Sequence, residues 1–240
     1  MTLAYTQFLN FEIGVECNLG TEHKKCPNRH PDRYANSDTR RRMSDETIVA
    51  CAVSAYQDHG FTGLIGWHYY NEPMLHAERI LRLMTEIRRL VPESRFVMWT
   101  NGAGKGVFYQ SVRDLCEQWH ATPYETGVQL DDRLQRRPSM GDKPCLRIFT
   151  EFVLDAFGQH HPCCFDWRGE ASLGNVHDRG GFGDLVERWL WAQQLVGGDR
   201  MRAEEGSTMK ACRECGWRTS AMTQFDPESA ARADAWRASC

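Results

Sequence analysis

Ten cysteines are spread over 240 residues, and their spacing sorts them. Cys17 and Cys26 share one polar stretch, with His23 between them. Cys145, the vicinal pair Cys163-Cys164, and Cys212-Arg213-Glu214-Cys215 form a second set. A CxxC knuckle can seat two thiolates on one metal centre. Four thiolates from separate segments suit tetrahedral zinc or an iron–sulfur cluster, and spacing does not choose between them. Cys51 and Cys116 fall within helical patterns and read as core thiols.

Two further groups stand where strands should end: Tyr70-Asn71-Glu72-Pro73 and Thr100-Asn101-Gly102. Each is common by itself, so their weight is positional. The elements that place them can be read from periodicity. Residues 8–16 put Phe11, Ile13 and Val15 at period two, which predicts a strand running into Cys17. Residues 18–42 read as a long polar loop. Ser44-Asp45-Glu46 predicts a helix start, with a hydroxyl cap and acids in the first turn. Phe61 to Tyr70 is a second strand. Residues 74–91 form an amphipathic helix with Ile80, Leu83, Met84, Ile87 and Val91 on one face, ended by Pro92.

Arg95 to Thr100 is a third strand, 107–118 a helix, and Tyr124–Leu130 a weaker fourth strand. Such alternation implies parallel strands, whose C-terminal ends gather functional groups on one rim. The fold class expected is α/β: a partial parallel βα barrel of about four strands over residues 1–135. A smaller hairpin-plus-helix metal domain follows over 136–218, then a tail over 219–240. Within it, Leu146–Leu154 and a turn at Asp155-Ala156-Phe157-Gly158 predict the hairpin, and about 182–195 the helix.

Net charge is −3, and no basic tract is long enough to track a phosphate backbone, which argues against nucleic acid. No run approaches the length of a membrane helix. Met1-Thr2-Leu3-Ala4-Tyr5 has neither a basic region nor an apolar run, so a cytoplasmic location is expected. Reduced thiols are then the rule, and a disulfide framework is not expected. Arginine outnumbers lysine 24 to 5, which fits an anionic ligand but also a simple compositional bias.

Taken together, these residues resemble the radical S-adenosylmethionine (SAM) superfamily with a C-terminal SPASM/twitch extension. The strand ending in Cys17-Asn18-Leu19, with Cys26-Pro27 nine residues on, is similar to the family's cluster loop. Asn71-Glu72-Pro73 resembles its Gly-Gly-Glu-Pro, and Thr100-Asn101-Gly102 its Thr-Asn-Gly. Cys145, Cys163, Leu173-Gly174-Asn175 and Cys212/Cys215 follow the order of the SPASM/twitch ligands. The likeness spans about residues 8–218. It departs in two places: the family's loop is CxxxCxxC, and here the middle cysteine is missing, with His23 at its distance from Cys26; and the chain has room for only about four of the family's usual six strands before Cys145.

The resemblance implies one or two [4Fe–4S] clusters and SAM as cofactors. Cys17, His23 and Cys26 would hold the first cluster, and Cys145, Cys163, Cys212 and Cys215 the second, with Cys164 as the alternative to Cys163. Tyr70, Asn71, Glu72, Thr100, Asn101 and Glu125 would contact SAM. It also implies reductive cleavage of SAM to a 5′-deoxyadenosyl radical, which oxidises or otherwise modifies a natural-product intermediate or a peptide. Expected partners are that small-molecule or peptide substrate, an electron donor such as a flavodoxin or ferredoxin, and a second subunit or a second copy. A histidine ligand should raise a cluster's potential, because a neutral imidazole replaces an anion. Two other readings follow: a non-catalytic partner subunit with only the C-terminal cluster, or a zinc-stabilised α/β binding module.

Overall fold

The computed structural model describes residues 2–19, 26–102, 106–121, 147–164 and 166–197. His23, Glu125, Cys145, Cys212 and Cys215 lie outside the described residues, as does the strand expected near 124–130. Strands β1 (Phe8–Phe11), β2 (Leu64–Gly66), β3 (Arg95–Thr100) and β4 (Gln118–Ala121) pair in parallel in chain order. Three helices connect or follow them: α1 (Asp45–Gln57), α2 (Ala77–Leu90) and α3 (Tyr109–Leu115). Strand β4 begins at the end of the span expected to be helical (107–118), because α3 already ends at Leu115. Its signal is weak because Trp119 is its one large apolar residue, packed against the core.

Local chemistry explains the helix bounds. The Ser44 hydroxyl accepts from the Thr47 N–H and caps α1. A 3-10 turn at Pro73–His76 leads into α2, which buries Ala77, Ile80, Leu83, Met84 and Ile87 on one face. Pro92 cannot continue it.

The second half of the chain joins the same sheet. After a short turn of helix, α4 (Arg147–Thr150), strand β5 (Glu151–Leu154) pairs in parallel with β1. Strand β6 (His160–His161) returns antiparallel to β5, as the hairpin pattern predicts. The strand order is therefore β4-β3-β2-β1-β5-β6, with β1 in the middle. The hairpin extends the sheet because Phe152 and Leu154 continue the apolar face formed by Leu9, Phe11, Ile65, Phe96 and Met98. Helix α5 (Gly181–Gly197) covers that face, with Trp189 edge-on to Phe152 at 5.4 Å between ring centroids.

The opposite face is sparser and more polar. Asn10 of β1 approaches β2 so closely that a Cβ on Gly66 would lie 2.0 Å from its Oδ1. Only glycine fits there. In the hairpin turn, Gly158 takes φ +79°, and its carbonyl accepts from the Val176 N–H. That bond brings Leu173-Gly174-Asn175 back onto the hairpin. The Asn175 side chain fixes the return by donating to the Phe157 carbonyl at 3.0 Å.

Candidate functional site at the strand rim

The C-terminal ends of β1, β2 and β3 meet, and of the residues named from sequence Glu72, Thr100 and Asn101 meet beside Cys17. Glu72 is the link. Its carboxylate is 2% exposed and accepts from the Thr100 hydroxyl at 2.6 Å, the Asn101 N–H at 2.8 Å and the Met74 N–H at 3.0 Å. Its own N–H donates to the Glu16 carbonyl, one residue before Cys17. The Asn101 side chain donates to Asn18 Oδ1 at 2.8 Å, on the other side of Cys17. Three strand ends are thereby tied around one cysteine. Burial pushes the Cys17 thiol up, and the nearby Glu72 carboxylate adds to the effect. Thiolate formation at Cys17 therefore calls for a cation or a metal.

A second carboxylate, absent from the sequence-based candidates, organises the rest of the rim. Glu12 continues the inward alternation of β1, and its side chain is fully buried. It pairs with Arg33 and accepts from the Tyr34 hydroxyl (2.8 Å), the Tyr70 N–H (3.1 Å) and the Ala156 N–H (3.3 Å). These partners come from the long loop, the end of β2 and the hairpin turn. Burial works against the Arg33 charge, yet Glu12 holds its pKa above the ordinary arginine value. Tyr34 pays for this closure with φ +66°, rare for a bulky residue. Its ring is braced edge-on against Phe157 at 4.9 Å. The sequence clue was a lone acid, Phe11-Glu12-Ile13, inside an apolar strand pattern.

Cys26 starts a 3-10 turn, Pro27–Arg29, and is half-buried like Cys17. The Asn28 side chain donates to the Tyr70 carbonyl at 2.6 Å, which holds this turn against the end of β2. Tyr70 thus serves through its backbone. Asn71 caps its own turn by accepting from the Tyr69 N–H at 3.1 Å. Cys163 and Cys164 follow β6 and are also half-buried. By contrast Cys51 is buried in α1, where burial pushes its thiol up to about 12. Cys116 packs at the core's edge, and burial pushes it up to about 12 as well. Both are the core thiols that their helical spacing suggests.

Cys17 and Cys26 are soft donors of the kind an iron–sulfur centre takes. Two soft thiols flank a polar rim, and three buried polar atoms there, Arg33 Nε, Tyr69 Oη and Asn71 Nδ2, have no hydrogen-bond partner among the described residues. Buried polar atoms left unsatisfied point to a group that completes them. Among the described residues no three His, Cys, Asp or Glu side chains converge on a single metal ion.

His161 locks the hairpin to the cysteine loops. It is 1% exposed and sits 3.3 Å from Asp155 Oδ2 and 2.7 Å from the Asp166 carbonyl oxygen. Asp155 also accepts from the Ser37 hydroxyl at 2.5 Å. Burial opposes a charge on His161, but Asp155 and Asp166 outweigh it and raise its pKa from 6.5 to about 10. A histidine raised in the folded state stabilises fully below 6.5, and that stability fades as pH rises through about 10. His161→Gln should therefore lower the thermal midpoint most below pH 6.5, and the gap from wild type should close toward pH 10. Melting curves across that range check this; a constant gap would contradict it.

Comparison with known proteins bears on the fold and on the C-terminal segment. Residues 145–216 match the SPASM family, an iron–sulfur cluster-binding domain. The fold matches the crystal structure of BtrN in complex with AdoMet and 2-DOIA, at 17% identity and a TM-score of 0.52, over 80% of this chain and 87% of that one. It also matches selenomethionine BtrN in an open conformation, at 18% identity and a TM-score of 0.56, over 80% and 85%. No curated protein matches in sequence. Among the described residues no helix is long and apolar enough to cross a membrane. The chain thus shares the BtrN fold, and its residues 145–216, which supply β5 and β6 of the sheet, match an iron–sulfur cluster-binding domain.

Proposed function

We propose that this protein is a radical-SAM-type oxidoreductase. A [4Fe–4S] cluster is held at the strand rim by Cys17 and Cys26, and a second in the SPASM segment by Cys145, Cys212, Cys215 and one of the vicinal cysteines. When bound, the rim cluster and SAM supply one-electron cleavage of a carbon–sulfur bond and, from it, hydrogen abstraction from substrate. The observation that carries the reading is Glu72: it ties the ends of β2 and β3 to both neighbours of Cys17. The BtrN complex with AdoMet and 2-DOIA supports SAM as cofactor and favours a small-molecule substrate over a peptide.

The chain's own groups orient and shield. The backbone from Tyr70 to Glu72 offers polar groups to the SAM amino end, and Asn101 stands at the edge of the same rim. Tyr69 and Trp167 keep water from the cysteine loops, since both are buried. Electrons come from a small donor such as a flavodoxin or ferredoxin in a cytoplasmic setting.

Iron, sulfide and electron paramagnetic resonance after anaerobic purification test this, with and without SAM. Wild type should give a reduced signal that shifts with SAM. The Cys17→Ala, Cys26→Ala double variant should lose that signal and about half of the iron. Unchanged iron and an unchanged signal would remove the rim cluster. Iron for one cluster and no SAM response would support a non-catalytic partner subunit instead.

A further inference from the structure

The inner face of the sheet carries a polar group that the rim does not use. Asn10 points inward from β1, on the same face as Glu12 and two residues before it, which sets it about 7 Å below the rim. It is 5% exposed, and its side-chain oxygen has no hydrogen-bond partner among the described residues. A buried carboxamide oxygen left unpaired weakens the fold, so its presence calls for a reason. The neighbouring strand makes room for it: Asn10 leans across β2 at Gly66, where a Cβ would displace it.

Aromatic rings border this group. The missing side chain at Gly66 also lets Trp99 of β3 reach over β2 and meet Phe8 of β1 edge-on, at 5.2 Å between centroids. His68, just past β2, lies 4.5 Å from the Trp99 ring, and His120 of β4 stacks on it at 5.5 Å and 16°. The helix face of these strands is packed shut, whereas here Phe8, His68 and Trp99 are half-buried and His120 is exposed. No arginine or lysine stands among these residues, so the wall does not suit a phosphate or a carboxylate. The carboxylate on this face is Glu151, paired in register with Phe8.

We propose that Asn10 and the ring wall beside it form the substrate subsite, and that the substrate is a small ring bearing hydroxyl or amino groups. This rests on the small-molecule reading above. The Asn10 oxygen accepts from an O–H or N–H on the ligand. The wall takes the ligand's C–H faces, because the negative faces of aromatic rings attract weakly positive hydrogens. Asn10 is then a specificity residue, kept in place of an apolar one at the expense of stability.

Equilibrium binding to the full-length, anaerobically purified protein tests this, read by saturation-transfer NMR. The probes are glucosamine, myo-inositol, cyclohexylamine and tetra-alanine. Glucosamine should bind, and myo-inositol against cyclohexylamine separates the hydroxyl donor from the amino donor. Asn10→Leu is the decisive variant, because leucine keeps the branched shape and removes both polar atoms. Glucosamine affinity should fall about tenfold, the worth of one hydrogen bond. The thermal midpoint should hold or rise, because no buried acceptor is left unpaired. A lower midpoint or an unfolded Asn10→Leu protein gives the amide a structural partner and overturns the inference. So does unchanged affinity in that variant, tighter binding of tetra-alanine than of glucosamine, or no binding of any ring probe. The SAM-responsive signal is read in parallel. Its absence from wild type removes the cluster reading, whereas failure of the ring probes with that signal intact removes only this subsite.

Discussion

Arg33→Met should cost the fold about 3–5 kcal/mol, the loss expected when one member of a buried ion pair is removed. The reason is the partner left behind. Glu12 has no exposed side-chain surface and would keep three neutral donors but no counter-charge. For a chain of this size the thermal midpoint should fall by roughly 6–20 °C. The deficit should depend on pH in a definite sense. An unpaired buried carboxylate takes up a proton in the folded state, so the variant's shortfall should shrink as pH falls. Glu12→Gln added to Arg33→Met should recover part of the loss, and the cycle measures the pair's coupling. A midpoint within a degree or so of wild type at neutral pH would refute the pairing. Arg33 also anchors the loop that carries Cys26, so weaker iron retention should accompany the lower midpoint.

Glu72→Ala should have the largest effect on ligand binding. It strands the Thr100 hydroxyl and the Asn101 and Met74 N–H groups, at roughly 3–4 kcal/mol in all. Glu72→Gln is the finer probe. Its amide keeps one acceptor but turns a donor toward a donor, which costs about 1–2 kcal/mol. In both variants the rim of β3 loosens from β2, and Asn101 no longer holds Asn18 beside Cys17. SAM affinity measured well below the melting transition should fall by roughly tenfold or more in Glu72→Ala, equivalent to about 1.4 kcal/mol. Full SAM affinity in a folded Glu72→Ala protein would detach this carboxylate from the site.

Much of this site is legible in the sequence, because position along a parallel α/β pattern does the work. Cys17, Glu72 and Thr100 follow the first three strands, and strands that pair in parallel must end on one rim. Helix α2 shows its buried face openly, since Ile80, Leu83, Met84 and Ile87 fall at helical spacing. What the sequence hides is long-range. Nothing local to Glu12 says that Arg33, Tyr70 and Ala156 will converge on it, because those bonds join three loops distant in the chain. His161 is similar: two adjacent histidines look alike, yet one turns to Asp155 and Asp166 and the other to the helix side. Burial pushes the pKa of that other histidine, His160, well below the ordinary value. The hairpin was visible, but its pairing with β1 was not. Strand pattern gives the faces of a strand and leaves its neighbours open.

That pairing has a consequence for how the protein is made. β1 leaves the ribosome before the other strands of its sheet, and it needs β2 on one side and β5 on the other. Phe8 must wait for Glu151 before its second ladder closes. Until then, the middle of the finished sheet is an open edge, the kind of surface that invites pairing with the wrong chain. Contacts this distant in sequence also slow folding, since the loop between them must be closed before they form. The bonds between the long loop and the residues after β6, such as Asn36 to the Arg168 carbonyl, can form only once β6 has docked.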